Sequence, residues 1–212
     1  MNIKFFQIIL CYCLLVSNVF SQKQFEGVLT YQIEIADTSL RSFYPSSIMT
    51  IYTNDTLLRV ETKTENLGDQ ILIHHFQKNK GYLLIQTALG KYAIQIPEDT
   101  THTQKYTYKK TRGKQEILGL KSKKLLVKTK NHDAPLTAFY HKKISAKYIP
   151  GFDYFPGLVT SYQVHTNDGI YNHTLIAIER KKVDKDLFGI PSDYTRISMS
   201  DFVDLMTSEP QE

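Results

Sequence analysis

The sequence predicts an all-β fold with minor α: a strongly bent antiparallel sheet with a short C-terminal helix. Three observations predict it. β-Branched and aromatic residues recur with a period of two between short turn signals, as in Phe25, Leu29, Tyr31, Ile33 and Ile35 against Glu26, Thr30, Gln32 and Glu34. Tight polar connections such as Asn54-Asp55 and Asn167-Asp168-Gly169 make neighbouring strands antiparallel. Several strands are apolar on both faces: Tyr82 and Leu84 alternate with Leu83 and Ile85, and Ile170, Ile176 and Ile178 oppose Tyr171, Leu175 and Ala177. A sheet wet on one side would not read this way, so part of it is covered twice, by its own curvature or by a partner. No strands alternate with long amphipathic helices, and no G-x-G-x-x-G or P-loop string occurs, which argues against a nucleotide-binding α/β design.

Taken in order, the chain opens with Lys4, an apolar run from Phe5 to Val16 and the small-residue pattern Val19-Phe20-Ser21. The run is too short to span a membrane and reads as a signal peptide over 1–21, cleaved to leave Gln22. Export to a periplasm, or to the cell surface or exterior, is the expectation. Both cysteines, Cys11 and Cys13, leave with this leader, so thiol catalysis and cysteine-based zinc sites are not expected of the mature chain. One domain is expected over 22–207, with a frayed tail over 208–212. Its strands are expected at 25–35, 48–53, 56–63, 70–77, 81–86, 91–96, 106–110, 114–118, 121–130, 136–141, 157–166 and 170–182. A helix at 198–207 is expected from a cap at Ser200 and the stripe Phe202, Val203, Leu205 and Met206.

Catalytic signatures are absent from this pattern. Adjacent His74 and His75 on a strand point to opposite faces, and no metal-ligand spacing links the seven histidines, so no metal and no cofactor is expected. No G-x-S-x-G elbow occurs, and a non-enzymatic protein is expected. Charge is the remaining signal. From Lys105 to Lys130 ten cationic side chains stand against the single acid Glu116. Lys109, Lys110, Lys123, Lys124 and Lys128 are the candidate face for an anionic partner such as lipid headgroups or lipopolysaccharide. Nucleic acid is not expected for an exported chain. A charged exposed face or edge that also blocks sheet-to-sheet aggregation is the stronger account of these lysines.

Four blocks of the sequence carry a resemblance: Phe25-Glu26-Gly27-Val28-Leu29-Thr30-Tyr31, Ile117-Leu118-Gly119-Leu120-Lys121-Ser122-Lys123-Lys124, Phe139-Tyr140 through Phe155-Pro156-Gly157-Leu158, and Phe188-Gly189-Ile190-Pro191-Ser192-Asp193-Tyr194. Together they resemble exported Bacteroidota proteins of unknown function, of the GLPGLI type or a sister family, which are similar to the periplasmic lipoprotein carriers (LolA/LolB-like). The resemblance implies a half-barrel whose concave face holds acyl chains. Ser122 stands where many of these proteins carry a cysteine. By strand parity the lining of such an apolar groove is expected from Tyr31, Ile33, Tyr52, Tyr82, Leu84, Tyr162, Val164 and Ile176. The resulting expectation is a binding protein for a lipid, a lipid-modified protein or another hydrophobic ligand. A structural or interaction protein of the cell envelope, with a filled barrel and no small-molecule cavity, is the alternative.

Overall fold

The computed structural model describes residues 24–64, 68–97, 106–129 and 132–207. The expected leader and the expected C-terminal tail lie outside the described residues. The strands are β1 (Glu26–Ile35), β2 (Ser47–Asn54), β3 (Leu57–Thr64), β4 (Gly68–His75), β5 (Lys80–Thr87), β6 (Gly90–Ile96), β7 (Tyr106–Ile117), β8 (Leu120–Thr129), β9 (His132–His141), β10 (Leu158–Thr166), β11 (Gly169–Arg180) and β12 (Thr195–Ser198), followed by helix α1 (Met199–Thr207). All belong to one 12-stranded sheet in the order β12-β6-β5-β4-β3-β2-β1-β11-β10-β9-β8-β7. It is therefore two antiparallel meanders, β1 to β6 and β7 to β11, joined where β1 pairs with β11. Among the described residues the sheet does not close on itself, as a half-barrel requires.

Two departures from the expected strands have simple causes. The segments 106–110 and 114–118 are one strand, β7, because an irregularity between Lys110 and Lys114 lets Thr111, Arg112 and Gly113 bulge opposite Lys124 while pairing resumes on both sides. Strand β12 runs parallel to β6, from Thr195 opposite Tyr92 to Ser198 opposite Gln95, since it arrives through a long crossing segment rather than a hairpin.

Curvature follows from the packing. Leu58 and Val60 of β3 and Leu125 and Val127 of β8 belong to one buried cluster, although six steps of the sheet separate the two strands. At ~4.8 Å per step a flat sheet would hold them nearly 30 Å apart. The sheet instead wraps around the connection between β9 and β10, which supplies Ile144, Ala146, Tyr148, Ile149, Phe152 and Phe155 to the same cluster. Its rings interlock with the strands: Phe152 lies 4.7 Å from Tyr162, 4.8 Å from Phe155 and 5.0 Å from Tyr106, centroid to centroid. The Tyr31 hydroxyl donates to the Val159 carbonyl at 2.7 Å, tying β1 to β10. Apolar burial at ~25 cal/mol per Å² makes this filled interior the principal stabilising term.

The opposite face of the first meander is covered as well. After β11 the chain crosses it as a strap: the Val183 amide donates to Glu26 Oε1 at 3.1 Å, and Arg59 Nη1 donates to the Leu187 carbonyl at 3.0 Å. Ile190 and Tyr194 then pack with Ile71, Ile73, Tyr82, Leu84 and Ala93 in a second cluster. Of the strands that read as apolar on both faces, β5 turns Tyr82 and Leu84 toward the strap, while in β11 Ile170, Leu175 and Ile178 pack with the interior and Ile176 is exposed. Helix α1 is capped by Ser198, whose Oγ accepts from the Asp201 amide at 3.1 Å, and not by Ser200. It rests beside β6 through Phe202, 5.6 Å from the Tyr92 ring, and leaves Met199, Val203 and Met206 exposed.

Candidate functional site

The expected groove residues divide between two faces. Tyr31 pairs with Met49 and Leu175, and Tyr162 with His173, all turned toward the insert; Tyr31 is fully buried and Tyr162 is 5% exposed. Ile33 and Val164 are partly buried and pack against the same cluster. Tyr82 and Leu84 lie on the other face, beneath the strap. Tyr52 pairs with Val28 and Arg59, again opposite to Tyr31. Ile176 is passed over where the β1–β11 register shifts, and is 40% exposed. The eight side chains therefore do not share one surface.

Parity fails here for a physical reason. Alternation fixes which residues of one strand share a face but not which face is inward, as for Tyr52, Tyr82 and Leu84 in the unshifted pairings from β1 to β5, and the one-residue shift between Thr30 and Tyr31 displaces Ile176 as well.

A cavity of about 500 Å³ opens at the far end of β7, β8 and β9, lined by Lys114, Gly119, Lys121, Ser122, Lys123, Tyr140, His141, Lys142 and Lys143. The local sequence builds it directly. The two-residue turn Leu118-Gly119, with φ of 50° and 74°, folds β7 onto β8 and sets Lys114 opposite Lys123 and Glu116 opposite Lys121. Strand β9 then places Tyr140 opposite Lys123, and its exit carries Lys142 and Lys143. His141 is fixed from behind: Nδ1 lies 3.1 Å from the Lys121 carbonyl, which only accepts, so Nδ1 carries the proton. Among the described residues no acidic side chain forms an ion pair with Lys114, Lys121, Lys123 or Lys143; the pairs lie elsewhere, at Arg59–Glu61, Lys147–Asp55 and Lys91–Asp193 among others.

A second cavity of about 330 Å³ adjoins it and shares His141 and Lys143; its other walls are Leu120, Ile144, Ile178 and Arg180. Of the five lysines expected to meet an anion, only Lys123 lines the larger cavity. Lys109 pairs with Leu126 and Lys128 with Thr107, so both share a face with Lys124, while Lys110 pairs with Leu125 on the opposite face. Lys142 and Lys143 were not singled out because their charge belongs to a turn beyond the basic stretch, and only the β8–β9 pairing brings the two together. Among the described residues no three His, Cys, Asp or Glu side chains gather as a metal site would need.

No family model and no curated protein matches the sequence. Among solved structures the chain is similar to PNGF-II in two crystal forms, C2 and P21, with TM-scores of 0.57 and 0.51 at 14% and 13% identity. The alignments cover 85% of this chain and 32% and 33% of those chains, so this chain spans about a third of the length of the PNGF-II structures it matches. At that identity the likeness is one of fold.

Proposed function

We propose that this chain is an exported, non-enzymatic binding protein that engages a negatively charged ligand or envelope partner through the lysine-lined end of β7, β8 and β9. One observation carries the reading: Lys114, Lys121, Lys123, Lys142 and Lys143 line a single cavity of about 500 Å³. An ammonium is a compact point charge with three donors, and several around one cavity suit an anion of more than one negative charge. The leader-like start and the resemblance to exported envelope proteins support the location. The filled concave face favours a role for the interior in holding the sheet's shape, because an acyl chain entering there would have to displace Tyr148, Phe152 and Phe155.

The test uses the mature chain from Gln22, labelled with ¹⁵N and titrated with inorganic phosphate and pyrophosphate. Shifts confined to Lys114, Lys121–Lys123 and His141–Lys143, larger for pyrophosphate and suppressed by salt, are expected. Shifts spread evenly over surface lysines, or none, would overturn the reading. A mass spectrum of the native protein checks the interior: near-stoichiometric acyl ligands would return the function to an apolar groove.

A further inference from the structure

We propose that the two adjoining cavities form one bipartite site for a phosphorylated amphiphile, the phosphate among the lysines and a short apolar segment against Leu120, Ile144 and Ile178; this rests on the anion-binding reading above. Continuity is the first argument. Both cavities are lined by His141 and Lys143, so a ligand held by these two side chains meets lysines on one side and aliphatic carbon on the other.

The second argument is the cost of the arrangement without a ligand. Lys114 and Lys123 stand directly opposite in the β7–β8 register, where like charges destabilise an antiparallel pair. Glu116, the one acid of this hairpin, stands opposite Lys121 and forms no ion pair with Lys114 or Lys123. A phosphate ester placed among these groups converts mutual repulsion into attraction.

The third argument is size and lining. The smaller cavity, about 330 Å³, lies at the low end of ligand pockets, so it takes a short apolar segment and not a whole acyl chain. Ile144 is buried against the core, which fixes this wall, and Arg180 supplies a further cation at its rim. A cationic surface alone would need no apolar recess beside it.

Calorimetry on the mature chain separates the two halves of the site, using inorganic phosphate, dibutanoyl- and dihexanoylphosphatidic acid, and dihexanoylphosphatidylcholine, all as monomers. Each methylene buried strengthens binding roughly fourfold, so dihexanoylphosphatidic acid should bind about tenfold or more tightly than phosphate. The phosphatidylcholine, whose headgroup carries no net charge, should bind far more weakly. Lys143→Gln, on an exposed turn, should weaken both phosphate and phosphatidic acid; Leu120→Ser should weaken phosphatidic acid alone. Equal affinity for phosphate and both phosphatidic acids would overturn the bipartite site and leave the anion reading standing. No binding of phosphate or phosphatidic acid would overturn both. Equal binding of phosphatidylcholine and phosphatidic acid would remove the cationic half and the proposal with it. Should Leu120→Ser lose its folded circular dichroism, the chain-length series on the unaltered protein decides the matter.

Discussion

Two side chains show how single residues hold the insert in place. Tyr148, fully buried at its ring, donates its hydroxyl to Asp55 Oδ1 at 2.5 Å and accepts from the Phe25 amide at 2.9 Å. Lys147 adds a 2.7 Å ion pair to the same carboxylate, so the β2–β3 turn, the N-terminus of β1 and the insert meet at one point. Burial opposes the charge on Asp55, but hydrogen bonds from Lys147 and Tyr148 outweigh it and hold the carboxyl below its usual range. Tyr148→Phe strands the buried Phe25 amide and should cost about 1–3 kcal/mol in urea unfolding. His173 gives the second case. It stacks on Tyr162 at 4.5 Å, and burial lowers its pKa to about 4. A ring whose folded pKa lies below the unfolded value near 6.5 favours the fold when neutral, so its contribution is complete above pH 6.5 and is lost as pH falls through about 4. That loss is at most about 3 kcal/mol, since one pH unit corresponds to about 1.4 kcal/mol. His173→Phe keeps an aromatic ring beside Tyr162. Its urea midpoint should fall less between pH 6.5 and 4 than that of the unaltered protein, while below pH 4, where Asp55 titrates, the two should decline together.

At the scale of elements, the β7–β8 hairpin is both the site's scaffold and its weak point. A two-residue hairpin with positive φ at both positions is the geometry that Asn-Gly prefers, yet the first position is Leu118, at φ 50° and 49% exposed. Leu118→Asn should raise the urea midpoint by the equivalent of about 0.5–1 kcal/mol and leave the lysines where they are. An unchanged or lower midpoint would mean that the Leu118 side chain contributes packing of its own. Eleven strands were legible in the sequence, one of them as two pieces, because period-two alternation and turn residues are local signals. β12 was not, being four residues, Thr-Arg-Ile-Ser, held only by β6 on the far side of the strap. The insert 142–157 was illegible as an element since it has no period: its Tyr148, Phe152 and Phe155 read as loop aromatics, and only the bent sheet around them makes them core. The cationic character of the site could be read from Lys105 to Lys130. Its membership could not, because Lys142 and Lys143 reach Lys121 and Lys123 only through strand pairing.

For the whole molecule, the decisive contact is the seam between β1 and β11, which joins the two meanders into one sheet. Gly27 sits on it opposite Arg180, at φ 148°, and a Cβ there would lie within 1.9 Å of the Glu179 carbonyl oxygen. No side chain fits without moving the backbone of β11, so this glycine sets how closely the two halves approach. The insert makes the seam matter beyond its own hydrogen bonds. It packs at once on β1 to β3 and on β8 to β11, so neither meander keeps its buried face if the other swings away. Cooperative unfolding is the consequence, with both halves lost together. Gly27→Ala, adding backbone strain to a clash in a packed interior, should lower stability by about 3 kcal/mol. Far-ultraviolet circular dichroism and amide signals from the remote β7–β9 end should still report one coincident transition, displaced to lower urea. If the β7–β9 amides instead retained their original midpoint while those of β1 and β2 melted early, the meanders would be separate units and the insert would belong to the second alone.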